Sequence, residues 1–227
     1  MIIIDYKKQH HKKIIDACVS ALKSGKAVAY PTDTSYGLAV DATNIGAIKK
    51  LYQIKGRDFN KPVHIVVPSA AYAKKIARWN KAASRLAKKF WPGPLTLVLP
   101  VGDGLKPSPT LRQLSANTGS IGLRMPKNQI ALDLAKNLRR PITATSANVS
   151  GGADCYSADE IIKQFSAKGG SAFGGKNQQF KPDIIINSGK LPISKPSTLV
   201  RVFDDVVKVL REGPVTQKQI ISLLNTK

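Results

Sequence analysis

Apolar residues at Ile14, Ile15, Cys18, Val19 and Leu22 recur on one helix face, so Ile14 to Lys23 is predicted as a helix. Gly25 ends it, and Ala27-Val-Ala-Tyr30 begins a strand closed by Pro31. Asn44 to Ile54 reads as a helix and Pro62 to Val67 as a buried strand. Residues 70–90 are helical in pattern, with Asn80 placed to interrupt the run and cap a second helix. Leu95 to Pro100 and Ser120 to Arg124 read as strands, and Ile130 to Leu138 as a helix. Ile142 to Thr145 is a strand and Ala158 to Phe165 a helix. Ile184 to Asn187, Ser197 to Phe203 and Val206 to Leu210 make a strand-rich end before a short helix, Gln217 to Leu224. No linker, charge block or internal repeat divides the alternation. It predicts a single α/β domain over residues 1–227, with a twisted, mostly mixed open sheet flanked by helices. The stretches 100–119 and 166–182 read as loops long enough to be functional.

The 227 residues are 42% hydrophobic, enough for a proper core without disulfide staples. No run of 18 apolar residues suggests a membrane span. The start, MIIIDYKKQHHKK, places its apolar residues before its charges, which is not a secretory pattern. Cys18 and Cys155 are too few and too distant for a disulfide framework or a zinc site, so a reducing cytoplasm is expected. Charge changes the picture most. There are 36 Lys and Arg against 14 Asp and Glu, a formal net charge of +22, with only two Glu, Glu160 and Glu212. Such a field attracts polyanions: RNA, nucleotides or an anionic surface. Lys74, Arg78, Lys81, Arg85 and Lys88 fall every three or four residues, so a continuous helix would align them on one face. That face is either a docking surface for RNA phosphates or an ordinary solvated flank.

Chemical motifs are sparse at first sight. Gly170-Ser-Ala-Phe-Gly-Gly-Lys-Asn177 nearly matches a P-loop, but Asn177 stands where the magnesium-binding hydroxyl belongs, and no helix follows. His10 and His11 are expected on a solvated turn, and His64, inside a strand, reads as structural rather than as a ligand. No metal site is expected. What remains is a set of polar segments at strand ends, where open α/β sheets bind ligands. Tyr30-Pro-Thr-Asp-Thr-Ser-Tyr-Gly-Leu38 leaves a buried strand with five hydroxyls. Lys55-Gly-Arg-Asp-Phe-Asn-Lys-Pro62 carries three cations around a permissive Gly56. Trp91-Pro-Gly-Pro-Leu-Thr96 is a rigid turn entering a strand, and Thr143-Ala-Thr-Ser-Ala-Asn-Val-Ser-Gly-Gly152 ends one in hydroxyls and an amide.

In this order the segments resemble the YrdC-like family of threonylcarbamoyl-AMP synthases. The similarity runs through Pro31-Thr-Asp-Thr-x-Tyr-Gly-Leu38, Lys55-x-Arg57, Lys61-Pro62, Trp91-Pro-Gly-Pro-x-Thr96, Arg124-x-Pro126 and Ser146-Ala-Asn-x-Ser-Gly151. It continues through Ser197-Thr198 to Leu210-Arg-Glu-Gly213, spanning residues 13–225, and the length is that of the short, single-domain members. The resemblance implies a nucleotidyltransferase that joins L-threonine, bicarbonate and ATP into threonylcarbamoyl-AMP and pyrophosphate, for threonylcarbamoyladenosine in tRNA. It implies Lys55 and Arg57 as catalytic. ATP would be held by these two with Lys61, Ser120, Ser146, Asn148 and Arg211. Threonine would be held by Thr34, Arg124, Ala144 and Ser197. Magnesium would arrive with ATP, with no dedicated protein metal site. The adenylate would pass to a tRNA threonylcarbamoyl transferase complex, with RNA touching the basic surface and no membrane involved.

Three positions depart from the family pattern. Val66 stands where the family often carries a histidine near threonine, with His64 two residues earlier on the same strand face. Asp154 replaces a common hydroxyl beside the triphosphate, and Arg201 replaces an acid. The alternative from another class is a non-catalytic RNA-binding or ribosome-associated protein on the same fold. Such a protein has no use for Lys55, Arg57, Ser146, Asn148 and Arg211 together.

Overall fold

Alternation along short strands assigns each side chain to one of two apolar layers. Val28 and Tyr30 enter one, Ala27 and Ala29 the other; Ile184 and Ile186 part from Ile185 in the same way, and Val66 from Ile65. The computed structural model describes residues 1–102, 108–166, 180–204 and 206–225. Its first half runs Ile2–Asp5 (β1), His11–Lys23 (α1), Val28–Tyr30 (β2), Gly37–Ala39 (β3), Ile45–Lys55 (α2), His64–Val66 (β4), Ala70–Ile76 (α3), Lys81–Phe90 (α4) and Leu95–Pro100 (β5). Pro109–Leu114 (α5), Ser120–Arg124 (β6), Gln129–Leu138 (α6), Ile142–Ser146 (β7), Ala158–Ser166 (α7), Ile184–Asn187 (β8), Thr198–Phe203 (β9), Val206–Arg211 (β10) and Gln217–Asn225 (α8) follow. The strands form one mixed sheet in the order β1-β8-β2-β3-β7-β4-β6-β5-β9-β10. Its parallel pairs are β1 with β8, β8 with β2, β4 with β6, and β5 with β9.

The two layers are unequal, and this positions the site. On one face a large cluster draws on α2, α4 and α7 and runs beneath β5, β6 and β9 through Leu95, Leu97, Leu99, Leu123 and Val200. On the other, α1 and α6 pack against β1, β8, β2, β3, β4 and β7, and nothing in that cluster comes from β5, β6, β9 or β10. Four of the ten strands therefore contribute nothing to the apolar layer on that face.

The predicted elements stand where the periodicity put them, with ends shifted by a few residues, and Asn80 caps α4 by accepting from Ala83 N at 2.8 Å. Three elements had no expectation. Among the described residues β1 pairs only with β8, from the far end of the chain. β3 is built from a glycine that slides under an aromatic ring: a Cβ on Gly37 would lie 2.9 Å from Tyr30 Cζ. α5, inside the expected loop 100–119, starts with Ser108 accepting from Leu111 N at 3.2 Å and a proline in its first turn. The near-P-loop at 170–177 lies outside the described residues.

The expected charged stripe does not form as one face. α3 stops at Ile76, Ala77 is extended, and α4 starts only at Lys81. The Arg85 guanidinium donates to the carbonyls of Leu223 and Leu224 and docks α8. His11 is no turn residue either. It opens α1, with Nδ1 2.9 Å from Tyr6 Oη and Nε2 2.9 Å from Asp133 Oδ2.

The C-terminal turn closes over Thr198. Gly213 N and Val215 N each donate to Thr198 Oγ1 at 3.0 Å, and that hydroxyl donates to Val215 O at 2.7 Å. Gly213 lies so close that an added Cβ would sit 2.1 Å from Pro196 O, a backbone atom that cannot swing aside. Gly213→Ala is therefore expected to destabilise the fold by about 1–3 kcal/mol, the usual cost of overpacking. Thermal unfolding should show a melting point lower by roughly 3–10 °C for a chain of this size; an unchanged melting point would contradict the close approach.

Candidate active site

A cavity of about 190 Å³ opens where the α1 and α6 layer stops. Segments distant in sequence converge there: the 30–37 turn, Arg57 and the 62–64 strand entry, Thr96, Arg124, residues 144–146, Asp154, Pro196 and Ser197, and Arg211. Register explains much of this. Thr96 pairs laterally with Arg124 and with Leu199, so these side chains share one sheet face. His64 lies across Gly122, where a Cβ would come within 2.3 Å of its ring.

Arg124, at the end of β6, forms one corner of the cavity. Its Nη2 donates to Asp33 Oδ1 and to Thr34 Oγ1, the latter at 3.0 Å. Its Nε is buried with no partner among the described residues. A buried guanidinium edge without an acceptor is costly, so this edge is set up to receive one. Asp33 Oδ2 also accepts from Lys127 N at 3.0 Å, tying the 31–36 turn to the chain leaving β6. Thr34 Oγ1 lies 3.2 Å from Thr32 Oγ1, which donates to Ser35 O at 2.7 Å. Ser197 and Thr96 share a hydroxyl hydrogen bond of 2.8 Å beside this corner.

Two more guanidiniums face the cavity. Gly56, left-handed at φ 55°, ends α2 and turns the chain so that Arg57 Nη2 donates to Pro62 O at 2.9 Å. Arg211 depends on an irregularity in β10. Val209 pairs with Val200, yet Arg211 pairs with Leu199, so two steps on β10 oppose one on β9. This bulge puts Arg211 on the cavity face although Val209 packs against the core. Its Nε and Nη2 donate to Ser197 O at 3.2 and 2.8 Å. Burial pulls both arginines below their ordinary pKa; Asp154 partly restores that of Arg211. Among the described residues neither guanidinium is paired with a carboxylate.

Lys55 does not line the cavity. Its side chain is buried, at 1% exposure, and Nζ donates to Ser146 O at 2.6 Å, Asn148 O at 2.8 Å and Asn148 Oδ1 at 2.9 Å. Burial first, then the charge of Arg57, lower its pKa to about 7. Asn148 is likewise consumed within its own loop, with Nδ2 donating to Gly152 O at 2.6 Å. Ser146 is presented to the cavity, its hydroxyl donating to Asn148 Oδ1 at 2.7 Å.

Of the residues singled out from the sequence, Thr34, Arg57, Arg124, Ala144, Ser146, Ser197 and Arg211 meet in this cavity. Lys55 and Asn148 stand directly behind it. Lys61 is exposed and outside the wall, contributing a carbonyl that accepts from Tyr52 Oη at 3.0 Å. Ser120 starts β6, about 13 Å from Arg124 at strand rise, and shares a 3.0 Å hydrogen bond with Thr118. Arg201 is exposed and stacks over Phe203 at 5.6 Å, away from the cavity. Sequence reasoning passed over Thr32, Thr96 and Thr145, and took His64 for structural. His64 lines the cavity, and burial, then Arg211, Arg57 and Arg124, lower its pKa to about 4. Val66, on the same strand face, is buried between Ile142 and Arg124. Gly122, which has no Cβ and lies next to His64 in register, leaves the ring its room; the signal in the sequence was the place of His64 on the strand face where the family carries a histidine.

The Sua5/YciO/YrdC family model, described as "Telomere recombination", matches residues 20–213. A Methanocaldococcus jannaschii protein provisionally named a threonylcarbamoyl-AMP synthase is 34% identical over 213 residues, 94% of this chain and 92% of that protein. The threonylcarbamoyl-AMP synthase of Pyrococcus abyssi is 32% identical over 96% of this chain, which spans only 59% of that longer relative. The crystal structure of P. abyssi Sua5 complexed with L-threonine superposes with a TM-score of 0.84, at 32% identity, over 99% of this chain and 61% of that one. With the model matched along most of its length and such relatives over nearly all of it, the chain belongs to the Sua5/YciO/YrdC family.

Proposed function

We propose that the chain is an L-threonylcarbamoyladenylate synthase, forming threonylcarbamoyl-AMP and pyrophosphate from L-threonine, bicarbonate and ATP for tRNA modification. The observation that carries this is the unpartnered, buried Nε of Arg124 beside Thr34, in a cavity that also holds two uncompensated guanidiniums. One end of the cavity suits an amino-acid carboxylate, the other suits phosphates. The relative solved with L-threonine supports the first assignment. A non-catalytic RNA binder would need surface cations, not a buried guanidinium ringed by hydroxyls. The surplus of positive charge favours contact with tRNA as an addition to catalysis.

In this reading the planar fork of Arg124 takes the threonine carboxylate, and Thr34 and Ser197 orient its polar groups. The threonine ammonium first gives up a proton to solvent, and the free amine then adds to the bicarbonate carbon with loss of water, giving a carbamate. A carbamate oxygen then attacks the α-phosphorus while the bond to the β-phosphate oxygen breaks and pyrophosphate leaves. Arg57, Arg211 and the Ser146 loop stabilise the charge that collects on the phosphates. Lys55 acts behind the loop rather than on ATP. Magnesium enters with the nucleotide. The product is a mixed anhydride, so a transferase acting on tRNA must consume it.

Pyrophosphate release is expected to require both L-threonine and bicarbonate; release from ATP alone would remove this mechanism. Serine, lacking the γ-methyl, should lose about 1–3 kcal/mol in kcat/KM and remain measurable. Arg124→Lys should raise KM for threonine well above any change in KM for ATP. Arg57→Ala should lower the rate about a hundredfold, the scale of one preorganised donor. Equal effects of both substitutions on both substrates would contradict the division of the cavity.

His64 supplies the pH test. Its folded pKa, about 4, lies below the ordinary 6.5, so the neutral ring is favoured by folding. The associated stability is complete above pH 6.5 and is lost as pH falls through 4. An NMR titration of the free protein should find one imidazole with a midpoint near 4. A midpoint between 6 and 7 for all three histidines would refute the buried, cation-ringed placement.

A further inference from the structure

Among the described residues, Asp154 is the one cavity carboxylate with no assigned task. It lines the same wall as Arg57, Arg211 and Ser146. Asp33, the other acid near the cavity, is committed to Arg124 and Lys127. Asp154 makes no hydrogen bond and no ion pair within 4.0 Å among the described residues, although its charge is felt at Lys55 and Arg211. The nearby cations are themselves held by backbone carbonyls: Arg57 by Pro62, Arg211 by Ser197, and Lys55 by Ser146 and Asn148. An uncommitted carboxylate therefore stands among fixed cations, at the end of the cavity that would receive a triphosphate.

Two anionic groups so close in a partly desolvated site repel each other unless a cation lies between them. A divalent ion suits the available atoms. Magnesium prefers hard oxygens and is commonly held by one or two carboxylates together with substrate phosphates and water. Ser146 offers a second hard oxygen on the same wall: its proton is directed to Asn148 Oδ1 at 2.7 Å, which leaves the hydroxyl lone pairs to the cavity.

We propose that Asp154 is a direct protein ligand of the divalent cation that accompanies a nucleoside triphosphate into this cavity, with phosphate oxygens and water completing the coordination. The inference rests on the nucleotide reading above. It makes tight nucleotide binding conditional on the metal, because the unmetallated triphosphate meets a bare carboxylate. It also refines the expectation that ATP brings its magnesium to a protein lacking a metal ligand of its own.

The test is the affinity of the full chain for α,β-methylene-ATP, measured calorimetrically with magnesium and with EDTA, for the wild type and Asp154→Asn. In the wild type magnesium should tighten binding about tenfold or more, the scale on which metal affinity responds to lost coordination. In the variant that factor should fall to about threefold or less, while binding in EDTA becomes tighter than in the wild type because the repulsion is gone. Manganese bound with the analogue should also retain more exchangeable water in the variant, read by water-proton relaxation. An unchanged magnesium factor, with wild-type relaxation, would overturn the proposal and leave Asp154 a base or a bystander. If the wild type bound no nucleotide under either condition, the synthase reading would fall and this inference with it. Asp154 holds no described structural contact, so the variant is expected to fold, which circular dichroism checks.

Discussion

An ammonium buried at the end of α2 fastens the two halves of the cavity to each other. Lys55 reaches beneath the chain leaving β7 and satisfies Ser146 O and both oxygens of Asn148, while its own carbonyl accepts from Ser150 N at 2.7 Å. Without that side chain, buried acceptors would lose their donor, at about 1–3 kcal/mol each. The next residue, Gly56, turns the chain so that Arg57 enters the cavity wall. One helix terminus thus fixes a hydroxyl on one side and a guanidinium on the other. The low pKa of Lys55 reflects what this location costs: the charge is withdrawn from water and sits near a like charge.

The same economy governs the remaining cations. Arg57 and Arg211 are oriented by peptide carbonyls, which hold a guanidinium in place without cancelling its charge. Arg124 is handled differently, with one edge occupied by Asp33 and Thr34 and the other left open. Uneven layering makes room for all three. Because α1 and α6 stop short of β5 and β6, polar side chains on that sheet face border an open space rather than a packed helix. The hydroxyls of Thr96 and Ser197 are buried there and share a hydrogen bond, which offsets the penalty of burial.

Much of this was legible in the sequence, and for physical reasons. Periodicity reveals an element when one face is apolar over enough residues, as in α1 and β5. It fails for β3, whose Gly37 is a strand residue only because Tyr30 covers it, and for β1, which waits for β8. The polar segments stood out because hydroxyls and cations at strand ends serve little purpose in a core. What the sequence withheld was the commitment of each side chain. Lys55 and Arg57 look alike in a three-residue motif, yet one is spent inside the fold and the other faces the cavity. His64 stood two residues from the position where the family carries a histidine, and its access to the cavity depends on Gly122 on a neighbouring strand. The spacing of charges along residues 74–88 suggested one continuous face, and the extended backbone at Ala77 divided it.

The bulge in β10 makes the pairing of a single residue a functional variable. Between Val209 and Arg211 the strand spends one residue more than its partner, and that residue, Leu210, is 45% exposed. The identity of Leu210 is therefore lightly constrained, because its side chain has little to pack against. Its exclusion from the ladder is not. Were Leu210 to take the place opposite Leu199, the strand would regain an even register and the arginine would turn toward the layer that holds Val209, away from Ser197 and the other two guanidiniums. A change that irons out the bulge while keeping Leu210 thus alters the site more than most substitutions along the strand.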